Sequence, residues 1–303
     1  MKTCVIMSTY NGQKYIGEQL DSIFSQKDCG DVFLYIRDDG SKDATVDIIK
    51  KYSNEKSQPI IINQACNAGA SKSFLLALRE CPEADYYAFC DQDDVWEAGK
   101  LEKAISDLQE IEDPALWISN YSVVDSELNM LSPDVIKNPC LDAKRVLFYN
   151  NVPGCVMVFN KQLLLEMRRM SITEIRMHDI MALNIAIITG KVVFESKSYL
   201  KYRQHRANVI GYAHKKIKVR KWIKQKIRLL RDKEKYDISE YAKEILNVFS
   251  ECLSAADKQE MELIATYKTS ILKTMRLLSK GYTRGKFGRT SLSIRLRILF
   301  HIM

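Results

Sequence analysis

The sequence predicts an α/β fold: a doubly wound, Rossmann-like and mostly parallel sheet, with a helical C-terminal extension. Three observations carry that expectation. Short apolar runs alternate with helix-period segments through the first third of the chain. A polar, turn-forming or acidic stretch follows each of the first four apolar runs. Charge is also divided along the chain. Residues 1–150 hold 15 Lys+Arg against 25 Asp+Glu, whereas residues 201–303 hold 25 against 9, within a net of +8.

The elements follow in order. Residues 3–8 (TCVIMS) read as a strand, and 15–26 as a helix with Ile16, Leu20, Ile23 and Phe24 on one face. Residues 32–37 (VFLYIR) are a second strand, and 43–52 a helix with Val46 and Ile49 inward. A third strand is expected over 59–63, then a helix over 71–80 with Ser71 as its N-cap. Residues 86–90 (YYAFC) are a fourth strand, and 98–111 the next helix. Strands joined by one helix each run parallel, with right-handed crossovers and helices on both faces. Ligands in such sheets lie beyond the C-terminal strand ends. From about residue 115 the pattern becomes mixed, with strands expected over 116–119, 155–159 and 192–195 and helices over 161–169 and 180–188. Beyond about residue 212 the chain is basic and helix-like, so the expected division is 1–212 and 213–303.

Composition removes several classes. Gly 12 and Pro 6 are too few for a low-complexity chain. No run reaches the ~18 apolar residues of a membrane span. The first ten residues read as a strand with one Lys rather than a signal peptide. The eight cysteines are scattered without a CxxC pair, which points to reduced core thiols rather than zinc or disulfides. A cytoplasmic protein is expected.

Chemistry concentrates after the strands. Thr9-Tyr10-Asn11-Gly12 follows the first, Asp38-Asp39-Gly40-Ser41 the second, Asn67-Ala68-Gly69 the third and Asp91-Gln92-Asp93-Asp94 the fourth. Asp91 and Asp93 form a DxD spacing that can aim two carboxylates at one hard divalent ion. A solvated acidic turn is the plainer alternative. Asp38 and Asp39 fit either an ordinary turn or carboxylates that accept from a nucleobase or ribose. Asp179, after His178, is either the N-cap of the following helix or a general base. His205 and Arg203, in Tyr202-Arg203-Gln204-His205, are candidates for metal and phosphate contact. Residues 215–231 (KKIKVRKWIKQKIRLLR) and 292–303 (LSIRLRILFHIM) combine cations with apolar positions. They fit either a packed helix with a solvated basic face or a helix lying on anionic lipid. No nucleic-acid motif accompanies the charge.

As a set, these strand-end motifs resemble the family-2 inverting glycosyltransferases. Asn151-Val152-Pro153-Gly154-Cys155, His178-Asp179 and Tyr202-Arg203-Gln204-His205 resemble the bacterial rhamnosyltransferase-like branch. The resemblance covers about residues 1–212. It implies a glycosyltransferase A-type fold and a nucleotide-diphosphate-sugar donor. It implies that Thr9, Tyr10, Asn11, Asp38, Asp39, Asn67, Gly69, Asp91, Gln92 and Arg203 contact the donor. Asp91, Asp93 and His205 would bind Mn²⁺ or Mg²⁺, and Asp179 would be the base. His-Asp stands where the family more often has Glu-Asp. The expected substrates are dTDP-rhamnose, or a UDP-hexose, and a lipid-linked saccharide of bacterial surface polysaccharide. Peripheral contact with the inner face of the plasma membrane, a possible homo-oligomer and no nucleic-acid partner complete the expectation. A sugar nucleotidyltransferase is the rival enzyme, although Asn11-Gly12-Gln13-Lys14 is a poor phosphate loop. A non-catalytic nucleotide-binding module is the rival without a base.

Overall fold

A computed structural model of the protein describes residues 1–171, 177–205, 237–283 and 288–301. Strand β1 (Lys2–Thr9) buries Cys4, Val5, Ile6 and Met7 completely. Consecutive buried residues point to alternate faces, so both faces of the sheet must be covered at β1. It lies parallel between β2 (Asp31–Asp38) and β4 (Tyr86–Cys90), and β3 (Ile60–Gln64) lies parallel outside β2. The helices joining them are α1 (Ile16–Phe24), α2 (Thr45–Glu55) and α3 (Ala70–Glu80). This half follows the alternation read from the sequence.

Beyond β4 the sheet is mixed. The two-residue β5 (Val95–Trp96) and α4 (Lys100–Leu108) precede β6 (Ala115–Val124), which β7 (Met130–Ser132) flanks. The short α5 (Ala143–Val146) precedes β8 (Met157–Asn160), which inserts antiparallel between β4 and β6. Strand β9 (Lys191–Arg203) runs parallel to β6 and antiparallel to β5. Strand β6 is ten residues long where four were expected. Its apolar run is interrupted by Ser119, Asn120 and Ser122, yet these are buried. Asn120 accepts from Ile136 N at 2.8 Å and donates to Ile136 O at 2.9 Å, so its amide stitches a distant loop to the strand. Strand β9 likewise extends to Arg203, well past the four residues its apolar pattern marks.

Two expected caps differ. Helix α3 starts from Gly69 at φ 85°, a left-handed conformation suited to glycine, and not from Ser71. Helix α6 (Lys161–Arg169) is capped by Asn160, whose side chain accepts from Leu163 N. Helix α7 (His178–Thr189) has Met177 at its N-cap, which places Asp179 inside the first turn. The capping role for Asp179 is therefore not realised. Helix α7 is buried from His178 through Ala186, as expected of a helix with no polar face.

The described C-terminal helices are α8 (Ile238–Phe249), α9 (Ala255–Thr266), α10 (Ile271–Ser279) and α11 (Gly288–Leu299). Helix α8 buries Ile238, Tyr241, Ala242, Ile245 and Phe249 in the same core as the sheet. Tyr241 Oη donates to Asn184 Oδ1 on α7 at 3.2 Å, and Arg169 on α6 donates to Val248 O at 3.0 Å. These helices thus pack on the front half. The boundary at 212 and the basic segment 215–231 lie outside the described residues. Cysteines 4, 29, 81, 90 and 155 are buried free thiols, as the scatter suggested. Among the described residues, no helix is long and apolar enough to cross a membrane.

Candidate active site

The parallel register aligns the strand ends. Thr9 stands opposite Asp38, Asp38 opposite Gln64 and Met7 opposite Cys90, so the loops after β1, β2, β3 and β4 share one rim. Side chains then lock these loops together. Gln92 accepts from Tyr10 N at 2.9 Å and donates to Tyr10 O at 3.0 Å. Gly12 leaves room for that clamp, since a Cβ there would collide with the Gln92 amide. Thr9 donates to Asp38 Oδ1 at 2.8 Å, and Ser41 N donates to Asp38 Oδ2 at 2.9 Å. Asp39 pairs with Arg37 at 2.5 Å and accepts from Ala68 N and Gly69 N, each at 2.9 Å.

A cleft of about 360 Å³ opens along this rim, lined by Tyr10, Asp39, Asn67, Gly69, Asp91, Gln92, Asp93 and Asp179. Eight of the expected residues are therefore brought together. Ser8, Ala70, Phe74, Pro153, Gly154, Met177, His178 and Tyr202 complete the wall. A second, wider cleft of about 920 Å³ shares Tyr10, Gln92 and Asp93 and adds Asn11, Lys14, Tyr15, Ser126, Gln204 and His205. His205 Nε2 lies 2.7 Å from Asp93 Oδ2, so Asp93 stands where the two clefts meet.

Three expected donor contacts lie behind the wall. Thr9 and Asp38 are buried and spend their polar atoms on each other and on Ser41. Arg203 is 1% exposed, and its guanidinium donates to Glu18 Oε2 at 2.6 Å, Asp93 O at 2.9 Å and Ser126 O at 2.7 Å. Its cation also sits 4.7 Å from the Tyr15 ring centre. Arg203 thus braces the backbone of Asp93, because a buried guanidinium must satisfy its donors internally.

Negative charge is concentrated at the far end. Burial, then the neighbouring carboxylates of Asp93 and Asp179, push the Asp91 carboxyl up to about 7. Burial also raises Asp94 well above the carboxylate range, and its Oδ2 is a buried oxygen with no hydrogen-bond partner among the described residues. Ligand atoms of Asp91, Asp94 and Cys155 lie within 4.8 Å of one another. Burial raises the Cys155 thiol far above its usual range, so it stays protonated. The fully buried Lys100 lies alongside, with Nζ donating to Cys155 O at 2.6 Å and 3.9 Å from the Trp96 ring centre. Its burial lowers the ammonium to about 8, and the nearby acids act against that shift.

His178 fixes the other wall. Its ring stacks on Phe74 at 3.9 Å and meets Phe89 edge-on at 4.6 Å. Neither ring nitrogen has a hydrogen-bond partner among the described residues. Burial pushes its pKa down from 6.5 to about 3, so the ring is neutral at working pH. As pH falls through 6.5 the unfolded chain gains a proton that the folded ring refuses, so stability declines progressively toward pH 3. The unfolding free energy of the parent, relative to His178→Phe, should therefore shrink as pH is lowered from 7 to 5. Movement of the His178 ring proton resonance between pH 5 and 8 would contradict the neutral ring. Gly154 faces the same ring, and a Cβ there would collide with His178 Nε2. The two phenyl rings leave the imidazole no retreat, so Gly154→Ala should shift the start of α7 and with it Asp179. The expected result is a turnover loss of about tenfold or more, with a stability cost of about 1–3 kcal/mol from overpacking. Unchanged turnover would show that the ring can move without Asp179.

The family model for glycosyl transferase family 2 matches residues 4–160, half of the chain. The chain belongs to glycosyl transferase family 2. A dTDP-rhamnosyl transferase of Shigella flexneri, RfbG, is 31% identical over 223 residues, which is 68% of this chain and 73% of that relative. The poly(ribitol-phosphate) β-N-acetylglucosaminyltransferase TarS of Staphylococcus aureus is 32% identical over 124 residues, 41% of this chain and 22% of TarS. The solved structure of residues 1–349 of TarS with UDP-GlcNAc superposes with a TM-score of 0.63 at 19% identity, covering 100% of this chain and 80% of that one. A Pyrobaculum calidifontis mannosyltransferase in complex with GDP-Man and Mn²⁺ superposes with a TM-score of 0.53 at 17% identity, covering 99% and 87%. These superpositions establish the glycosyltransferase A-type fold.

This glycosyltransferase also has site residues that motif reading passed over. Phe74 lines the cleft and Lys100 lies behind it, both outside every motif, while Tyr202 in the wall and Asp94 behind it stood within motifs without an assigned role. Lys100 leaves a trace in the sequence: it shares the buried face of α4 with Leu101, Ala104, Ile105 and Leu108. A lone Lys on an apolar helical stripe marks a buried charge with an acidic neighbour.

Proposed function

We propose that this family-2 glycosyltransferase moves a sugar from a nucleotide-diphosphate donor to a hydroxyl of a lipid-linked saccharide, with inversion at the anomeric carbon. The proposed donor is dTDP-rhamnose, on the similarity to the S. flexneri rhamnosyl transferase. The proposed setting is surface-polysaccharide assembly at the inner face of the bacterial plasma membrane. One observation carries the reading: a single cleft runs from Asp39 and Asn67 to Asp91, Asp93 and Asp179. Polar groups suited to a nucleoside occupy one end and carboxylates suited to a cation and a proton occupy the other.

Asp39 and Asn67 would hold the nucleoside, with Asp39 oriented by Arg37 and two backbone amides. Asp91, Asp93 and His205 would hold Mg²⁺ or Mn²⁺. The donor set fits a hard cation: carboxylate oxygens crowd together at the cleft, and a buried Asp94 oxygen behind them has no hydrogen-bond partner among the described residues. When bound there, such an ion supplies electrostatic stabilisation to the leaving diphosphate. Asp179 takes the proton from the acceptor hydroxyl as that oxygen bonds to the anomeric carbon and the bond to the diphosphate oxygen breaks. Arg203 contributes by fixing the Asp93 backbone.

A donor screen tests the reading. Nucleoside diphosphate release is recorded from dTDP-rhamnose and several UDP-sugars, with Mn²⁺ or Mg²⁺ and with a chelator, and donor binding is followed by calorimetry. Metal-dependent release from dTDP-rhamnose is expected. Turnover of a UDP-hexose alone would replace the donor, and absence of both release and binding for every donor would overturn the site.

A further inference from the structure

Away from the cleft, helix α10 turns its apolar side chains outward. It buries only Thr274 and Leu277, while Ile271, Leu272 and Met275 are 67%, 79% and 55% exposed. At 100° per residue these three fall within a 100° arc of the helix. Arg276 and then Lys273 follow on one side of that arc, with Lys273 Nζ donating to Thr266 Oγ1 at 3.1 Å. Helix α11 packs beside α10, and Leu299 and Phe300 at its end are exposed as well. An aliphatic face of this kind in water marks a binding surface.

Charge indicates what covers it. No Asp or Glu follows Glu262, whereas nine Lys and Arg do. Glu260, which feels the charge of Arg276, is engaged by Lys280 and Tyr282. A second copy of this chain would bring like charge against like. Single-stranded nucleic acid is held by several aromatic platforms interleaved with cations, whereas this face is mainly aliphatic, with Phe300 beside Ile271, Leu272, Met275 and Leu299. Cations beside exposed aliphatic groups suit an anionic bilayer, where phosphates meet the acyl boundary.

We propose that the outward face of α10, with the adjoining end of α11, docks on an anionic lipid surface. Ile271, Leu272 and Met275 enter the acyl boundary, and Lys273 and Arg276 reach the headgroup phosphates. Neither the donor nor the metal takes part, so the docking stands or falls separately from the transfer reaction. The arrangement would hold the enzyme beside a membrane-borne acceptor.

The full-length protein is floated with vesicles of phosphatidylcholine alone and of phosphatidylcholine with 30% phosphatidylglycerol. Binding is expected only with phosphatidylglycerol, weakened by salt. The Leu272→Glu, Met275→Glu double variant should bind at least roughly 100-fold more weakly, since burial of two such side chains is lost and two anions are added. Both positions are surface-exposed, so far-ultraviolet circular dichroism should be unchanged. As an independent reading, Leu272→Trp should show a blue-shifted emission, quenched by brominated lipid, beyond any change in the parent. Failure of the parent to bind, equal binding by the double variant, or an unquenched Trp at 272 would overturn the proposal. So would a parental dimer that the double variant converts to monomer, which would assign the face to a second copy.

Discussion

Asp179→Asn should lower turnover by roughly 10²–10⁴-fold while leaving donor affinity nearly intact. That range is the usual contribution of a positioned general base. Asn preserves the shape of the side chain, and therefore the cleft wall, but has no basic oxygen for the acceptor proton. Asp179 occupies the first turn of a buried helix whose N-cap is Met177. Loss of a helix cap is therefore not the expected consequence, and the unfolding midpoint should change little. The measurement is kcat with saturating donor and acceptor, alongside donor calorimetry. Parental turnover in this variant would remove Asp179 from the mechanism. A fall in donor affinity that matched the fall in kcat would assign it to binding instead.

Asp91→Asn is expected to act in opposite directions on activity and on stability. Removing a carboxylate from the proposed ion site should cost on the order of 10³-fold in metal-dependent turnover, corresponding to several kcal/mol of lost charge stabilisation. The same carboxyl is held at about 7 by burial and by the charges of Asp93 and Asp179. The unfolded chain releases this proton near 3.8, whereas the folded chain keeps it until about 7. Folding stability of the metal-free enzyme therefore falls as pH rises between those values, and the loss is complete above pH 7. The Asn variant lacks that loss. With a chelator present, its unfolding midpoint should exceed the parental one at pH 8, and the difference should vanish toward pH 4. Such a stability cost retained at a functional position is the usual trade between stability and activity. A variant less stable than the parent at pH 8 would show that the carboxylate is compensated in the fold. Full turnover by the variant would remove Asp91 from the ion site.

The first four strands were legible because each is a short apolar run followed by a helical period, and both signals are local. The second half of the sheet was not. Strand β6 continues through Ser119, Asn120 and Ser122, whose burial depends on a partner loop at Ile136. Strand β5 is two residues long and exists through its pairing with Lys201 and Leu200. Neither feature has a signature within its own segment, because the compensating groups lie far away in sequence.

The same division holds within the site. Asp38 and Asp39 are adjacent acids in one turn, and no sequence pattern separates them. The chain sends Asp38 toward Thr9 and Ser41, where it builds the turn, and Asp39 into the cleft. Arg203 reads as a cation free to meet phosphate. Burial requires its donors to be satisfied inside the protein, and it becomes a brace for Asp93. His178 reads as a titratable neighbour of Asp179, and its aromatic enclosure makes it a neutral wedge.

By itself the sequence determined the parallel half of the sheet, the strand ends at which ligands meet it and the acidic residues offered there. The strand-end motifs, taken as an ordered set, also carried the resemblance to the family. Tertiary structure alone decided which of the offered groups face the cleft, which are consumed in holding it and which helix turns an apolar face to solvent. The reason is physical. Secondary structure follows side-chain periodicity within ten or so residues, whereas the role of a polar group depends on whether a distant partner satisfies it before a ligand can.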